Sequence, residues 1–297
     1  MLKITNLNKT YGSTQVLQDL NLNIETGEVY GLLGANGAGK TTTINIICNL
    51  LKADSGDVMI NHQPVSPATK KIIGVAPQEN LLYQSLSCAE NLYFFAKIYG
   101  LSREKQKQQV EATLASVNLL AKAQSPVESL SGGMRRRLNM AVALVHQPQL
   151  VILDEPTTGL DIEARFEMWE LIRQLKNKGV TVLLTTHLLD EAERLCDKIG
   201  ILKHGKILAE GNLAQLRNLI PASEVILVQT NQKEQAIARA QEYGFTHKYY
   251  GNELAFWLPS PLELKEIIAK FEGIELDSIS RQPVRLEHIY LEVTQGS

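Results

Sequence analysis

The chain has 297 residues, 44% hydrophobic and 21% charged, and its 30 basic and 32 acidic side chains leave a net charge of -2. Such values belong to a globular protein with a filled core, so a disordered chain is excluded, and the lack of internal repeats excludes a solenoid. There is no basic excess for a long nucleic-acid footprint, no apolar run near the roughly 18 residues of a membrane span, and no signal-peptide pattern in MLKITNLNKTYG, so a cytoplasmic protein without a nucleic-acid partner is expected.

The first thirty residues alternate polar and apolar side chains, with Leu2, Ile4 and Leu7 before the turn Tyr11-Gly12-Ser13 and Val16, Leu17, Leu20, Leu22 and Ile24 after it. This pattern predicts antiparallel strands. VYGLLGANGAGKTTTINIICNLL then reads as strand, glycine-rich turn and helix, and IIGVAPQEN at 72–80 as a strand running into a loop. From Glu90 to about Leu120 the apolar spacing of three or four predicts helix, and LSGGMRRRLNMAVALVHQP predicts another that ends at Pro148. The continuous runs LVILD (150–154) and VTVLLTTH (180–187) suit strands of a parallel sheet buried on both faces, joined by a crossover helix from Ile162 to Lys178. Cys48, Cys88 and Cys196 stand singly in apolar segments and read as small buried hydrophobes.

Residues 1–220 are thus expected to form one α/β domain with a helical insert at about 79–140, and Pro221-Ala222-Ser223 a linker. Residues 222–297 are expected to be a small α+β accessory domain. Its strands and helices from Glu224 to Ser280 read β-α-β-β-α-β, the ferredoxin-like order. A final helix carrying Leu286, Ile289, Tyr290 and Val293 would pack on that domain or on a partner.

Gly34-Ala35-Asn36-Gly37-Ala38-Gly39-Lys40-Thr41 fits the P-loop pattern, and Thr42 follows it. A triphosphate is gripped by successive backbone N–H groups, which side chains would obstruct, and the loop opens a helix whose N-terminus favours anions. Lys40 would reach the β- and γ-phosphates, and the Thr41 hydroxyl would ligate Mg2+. Asp154 closes an apolar strand where it could hold the same Mg2+, and Glu155 beside it could take a proton from an attacking water. His187 ends another strand at the sheet edge where α/β proteins bind ligands.

With Leu130-Ser131-Gly132-Gly133-Met134 placed between the P-loop and the Asp-Glu strand, residues 1 to about 215 resemble the ATP-binding subunits of ABC transporters. Tyr11, Gln78, the segment Thr158-Gly159-Leu160-Asp161 and His187 match further family elements in order. The resemblance implies a P-loop ATPase with an antiparallel β subdomain, ATP and Mg2+ as cofactors, Tyr11 on adenine, Gln78 near Mg2+ and water, Glu155 as general base and His187 on the γ-phosphate. It further implies that Ser131, Gly132 and Gly133, with Asp161, serve ATP sites shared with a second ATPase subunit, identical or paralogous, and that a separate transmembrane permease is driven. The GGMRRR form, EPTTGLD and the ending RLEHIYLEVTQ resemble the daunorubicin-resistance type of exporter ATPase. Arg135, Arg136 and Arg137 are expected to lie on a solvated helix face. Tyr83, Leu86, Tyr93 and Phe94 on the insert offer apolar surface for docking. The competing class is a soluble ABC-type ATPase in nucleic-acid or cofactor-assembly work, disfavoured by one P-loop, no CxxC and the net charge of -2.

Overall fold

A computed structural model describes residues 1–295. They divide into two compact units, the first Met1–Asn212 and the second beginning at Leu213. The first unit opens with β1 (Leu2–Tyr11), β2 (Thr14–Ile24), β3 (Val29–Leu33) and α1 (Lys40–Ile47). It continues through β4 (Ser55–Ile60), β5 (Gln63–Pro64), β6 (Ile73–Ala76), α2 (Cys88–Ile98), α3 (Arg103–Ser116) and α4 (Gly132–Leu144). β7 (Leu150–Asp154), α5 (Ile162–Asn177), β8 (Thr181–Thr186), α6 (Leu189–Leu195), β9 (Lys198–Lys203) and β10 (Lys206–Gly211) complete it.

The alternation of the first thirty residues sets the β1–β2 register. Leu2 pairs with Ile24, Ile4 with Leu22 and Leu7 with Leu20, so the apolar side chains share one buried face. With β4 and β5 these strands form an antiparallel sheet in the order β2-β1-β4-β5. A second, six-stranded sheet has the order β10-β9-β3-β8-β7-β6 and is parallel except at β10. Its central strands β3, β7 and β8 are buried along their whole length because both faces are covered. Val151, Leu153, Val182 and Leu184 pack with the helical insert and α5, while Leu150, Ile152 and Leu183 pack with α1 and the antiparallel sheet. β3, β7 and β8 run parallel, so their carboxyl ends lie at one edge of the sheet, where the P-loop, Glu155 and His187 follow them.

Periodicity predicts one helical stretch from Glu90 to about Leu120; two helices are found. Ser102 accepts a hydrogen bond from the Lys105 N–H and starts α3 afresh. The Ser87–Glu90 capping box sets the start of α2, two residues before the expected one. β9 and β10, which the sequence reading leaves unassigned, extend the parallel sheet on the far side of β3.

The second unit runs α7 (Leu213–Arg217), β11 (Glu224–Gln229), α8 (Lys233–Glu242), β12 (Thr246–Tyr250), β13 (Glu253–Leu258), α9 (Leu264–Lys270), β14 (Ser278–Pro283) and α10 (Leu286–Gln295). Its sheet order, β12-β13-β11-β14 with every neighbouring pair antiparallel, is the ferredoxin-like arrangement. α8 and α9 bury Ala236, Ala240, Ile267 and Phe271 against Ile226, Val228, Leu254 and Phe256. α10 lies within the same unit: Leu286 and Ile289 are buried, and Glu292 pairs with Lys248 of β12 at 2.9 Å. Arg217 of α7 donates to the Val284 carbonyl at 2.8 Å, so α7 belongs with this unit and Pro221 lies inside it rather than at its edge.

His288 on α10 is 3% exposed, and its Nδ1 accepts the Arg285 backbone N–H at 2.9 Å. Burial, aided by the Arg285 charge, pushes its pKa down to about 4. Protonation would set a donor against a donor. An unfolded histidine titrates near 6.5, so between that value and about 4 the unfolded chain binds the extra proton and stability falls as the pH falls. Urea unfolding of the second unit should lose about 2 kcal/mol between pH 7 and 5. His288→Gln should flatten that dependence; an unchanged slope would assign the proton to another group.

Candidate active site

Residues 34–39 link the buried strand β3 to α1. Gly39 precedes the helix at φ +113°, and a Cβ there would lie 2.7 Å from the Leu17 side chain, so both conformation and packing require glycine. No side chain caps α1, which leaves its first N–H groups directed at the loop's concave side. Lys40 is 5% exposed; its ammonium donates to the Gly34 carbonyl at 2.7 Å and the Ala35 carbonyl at 3.2 Å. The loop thus aims its own lysine. Asn36, Gly37, Gly39, Lys40, Thr41, Thr42, Gln78 and Glu155 border, with Val16, a cavity of about 390 Å3. Gly34 and Ala38 are buried beneath it as part of the loop's backbone.

Glu155 is the meeting point of this cavity. Its Oε1 pairs with Lys40 at 3.1 Å. Its Oε2 lies 3.1 Å from His187 Nδ1 and accepts from Thr158 at 3.1 Å and from Gln78 Nε2 at 3.4 Å. Burial pushes the Glu155 carboxyl up, but the hydrogen bonds and charges of Lys40 and His187 outweigh it and hold the group below its ordinary value. It is therefore ionised at neutral pH, in the protonation state a base requires. Its neighbour Asp154 is 7% exposed and accepts a short hydrogen bond from the Thr185 hydroxyl. Thr185 also accepts from the Glu155 N–H at 3.2 Å, so β8 holds the Asp154 carboxylate and the Glu155 main chain at the end of β7.

Three of the sequence-identified groups stand apart from this cavity within the chain. Tyr11 is 48% exposed at the end of β1, with the Lys9 ammonium 5.7 Å from its ring centre. Asp161 caps α5 by accepting the Ala164 N–H at 2.8 Å. Ser131 caps α4 by accepting the Met134 N–H at 3.2 Å, and both Ser131 and Gly132 are exposed. Gly133 has a packing reason of its own: a Cβ there would lie 2.8 Å from Ala164 Cβ, so its absence lets α4 and α5 approach.

The three arginines are not a solvated face. Arg136 and Arg137 are 6% and 8% exposed, and Arg135 is half-buried with Nε donating to the Leu130 carbonyl at 3.0 Å. Arg137 lies 3.6 Å from Glu167 on α5. Successive residues on a helix point about 100° apart, so three in a row span too wide an arc for one exposed face. That signal was available in RRR ahead of LNMAVAL. Glu191, also missed, is fully buried on α6 and accepts from Thr157 at 2.7 Å and Trp169 at 3.1 Å. Burial raises its pKa despite those hydrogen bonds. Nothing in its local sequence distinguishes it from a surface acid.

Comparison with known proteins identifies the family. The ABC transporter family profile matches residues 17–158. The chain is 39% identical over 229 residues to the linearmycin resistance ATP-binding protein LnrL of Bacillus subtilis, covering 76% of this chain and 74% of that protein. It is 35% identical to the Nod factor export ATP-binding protein I of Cupriavidus metallidurans, covering 99% of this chain and 97% of that one. A solved ATP-binding subunit of an ABC transporter superposes with a TM-score of 0.67 at 33% identity, over 74% of this chain and 92% of that one. A cassette solved as a dimer in a post-hydrolysis state with ADP and Pi gives 0.65 at 29% identity, over 72% and 99%. The chain belongs to the ABC transporter family, as an ATP-binding subunit that hydrolyses ATP.

Proposed function

We propose that this chain drives export through a separate transmembrane permease, at the cytoplasmic face of the membrane, as one of two ATPase subunits that share their ATP sites. The observation that carries the hydrolytic part is the convergence of Lys40, Gln78 and His187 on an ionised Glu155 at the wall of the P-loop cavity. In this reading the loop N–H groups and Lys40 bind the β- and γ-phosphates. The Thr41 hydroxyl, the Gln78 amide and the Asp154 carboxylate are hard oxygen donors of the kind that suits Mg2+, which would neutralise phosphate charge. Glu155 takes a proton from water as that water's oxygen attacks the γ-phosphorus, and the bond to the β–γ bridging oxygen breaks to release ADP. His187 holds the γ-phosphate and Tyr11 stacks on adenine. Ser131, Gly132 and Gly133, at a helix N-terminus on the exposed surface, contact the ATP bound by the other subunit, with Asp161 at the same interface.

The export assignment draws on the relatives, which are named for Nod factor export and linearmycin resistance. Among the described residues no helix is long and apolar enough to cross a membrane. The permease's docking surface is proposed on the insert. Tyr83, Tyr93 and Phe94 are exposed there, Tyr83 and Phe94 meeting edge to face at 4.8 Å. Nearby in the same unit, Leu50, Ile73, Ile98 and Tyr99, with Lys70 and Lys71, line an apolar cleft of about 360 Å3. The full chain purified from solubilised membranes should carry a membrane subunit with several spans. A chain ending at Asn212 should still bind and hydrolyse ATP but lose that subunit or its transport. Loss of ATP binding on truncation would make the second unit part of the nucleotide site, and a full chain that retains no membrane protein would favour the soluble-ATPase reading.

A further inference from the structure

The Arg136 guanidinium has five N–H donors, and five main-chain carbonyls receive them. Nε donates to Pro156 at 2.8 Å, Nη1 to Pro77 and Gln78 at 2.7 Å each, and Nη2 to Asp154 at 2.8 Å and Glu155 at 2.6 Å. Two of these carbonyls belong to the segment carrying Gln78 and three to the segment carrying Glu155. Asn139, one turn further along α4, adds a second tie by donating to the Pro77 carbonyl at 3.0 Å. We propose that Arg136 is a positioning residue for ATP hydrolysis, clamping the main chain of Gln78 and Glu155 to α4 so that the two side chains stay in register.

Three features favour this over a core arginine that merely found partners. Glu155 has φ +48°, a left-handed conformation that a non-glycine residue holds only where its surroundings impose it. The carbonyls of Asp154, Glu155 and Pro156, on either side of that residue, all turn to one guanidinium. Their crowding would be unfavourable without a donor set of that shape. Second, the contact being protected is long: Gln78 Nε2 lies 3.4 Å from Glu155 Oε2, so a small slide of either segment breaks it. Third, burying a permanent charge is costly, and an apolar side chain would fill the space without that cost. Ser131 caps the same helix, so α4 carries both the exposed Ser131-Gly132 turn and the clamp on the segment of the carboxylate. Lysine cannot substitute, because its three donors diverge from a point instead of lying in one planar fork.

This inference rests on Glu155 being the base, and the test separates the two. Arg136→Lys and Arg136→Gln are made in the full chain, alone and with Glu155→Gln. MgATP affinity, KM and kcat are measured, with single-turnover hydrolysis for the slow variants. Arg136→Lys should lower kcat roughly 10–100-fold, the scale of a catalytic group misplaced by about 1 Å, while KM and MgATP affinity hold. Added to Glu155→Gln it should cost nothing further, since the group it positions is already gone. Unchanged kcat in Arg136→Lys beside an inactive Glu155→Gln overturns the clamp alone. Affinity falling in step with kcat, or losses that multiply in the double variant, would make Arg136 a packing residue. Full turnover in Glu155→Gln overturns the base assignment and the clamp together.

Discussion

Glu155→Gln should leave ATP binding intact while lowering turnover about 10²–10⁴-fold, the usual cost of losing a general base. The amide has nearly the shape of the carboxylate, so the cavity wall and the Lys40 contact at its Oε1 position are preserved. What disappears is a proton acceptor. The P-loop amides and Asp154 are untouched, which is why binding and turnover should separate. Equilibrium binding of MgATP together with phosphate release measures both on one preparation. Wild-type turnover in this variant would move the base elsewhere.

Ser131→Arg should abolish ATP-dependent association of two chains while leaving the affinity of the single chain for ATP unchanged. Ser131 stands exposed at the N-terminus of α4, away from the cavity that holds Lys40 and Glu155. Its hydroxyl already accepts the Met134 N–H, so the remaining N–H groups of that turn are the ones available to a phosphate from outside. A long guanidinium side chain would fill that notch and remove the helix cap, a loss of about 1 kcal/mol. Isothermal binding and light scattering would distinguish the two effects. If affinity of the single chain collapses, Ser131 serves the same chain's pocket and the shared site is wrong.

The parts of the site legible in the sequence are those whose chemistry is local. A P-loop needs its glycines, lysine and threonine in consecutive positions, because one turn of backbone must wrap a phosphate. Asp154 and Glu155 were marked by the apolar strand ahead of them, and His187 by the end of another. Arg136 was not legible as a clamp, because its five carbonyls lie some 20 and 60 residues away along the chain. Glu191 is hidden for the same reason: its partners, Thr157 in the loop after β7 and Trp169 on α5, lie 34 and 22 residues away along the chain. In the fold, the β-α-β-β-α-β order of the second unit was readable from alternation and turn residues, since each element is short and separately punctuated. The break between α2 and α3 turns on the Ser102 cap, and helical periodicity runs through it unaltered. α7 carries no signal for which unit it joins; the Arg217–Val284 hydrogen bond spans 67 residues.

ATP should hold two of these subunits together, each site completed by the Ser131-Gly132-Gly133 segment of the other. Light scattering of the Glu155→Gln chain at saturating MgATP, with MgADP as the comparison, tests it most directly. The mass should double with MgATP, with one nucleotide retained per chain, and stay that of a single chain with MgADP. A single-chain mass at full MgATP occupancy would contradict a site shared between two copies of this chain.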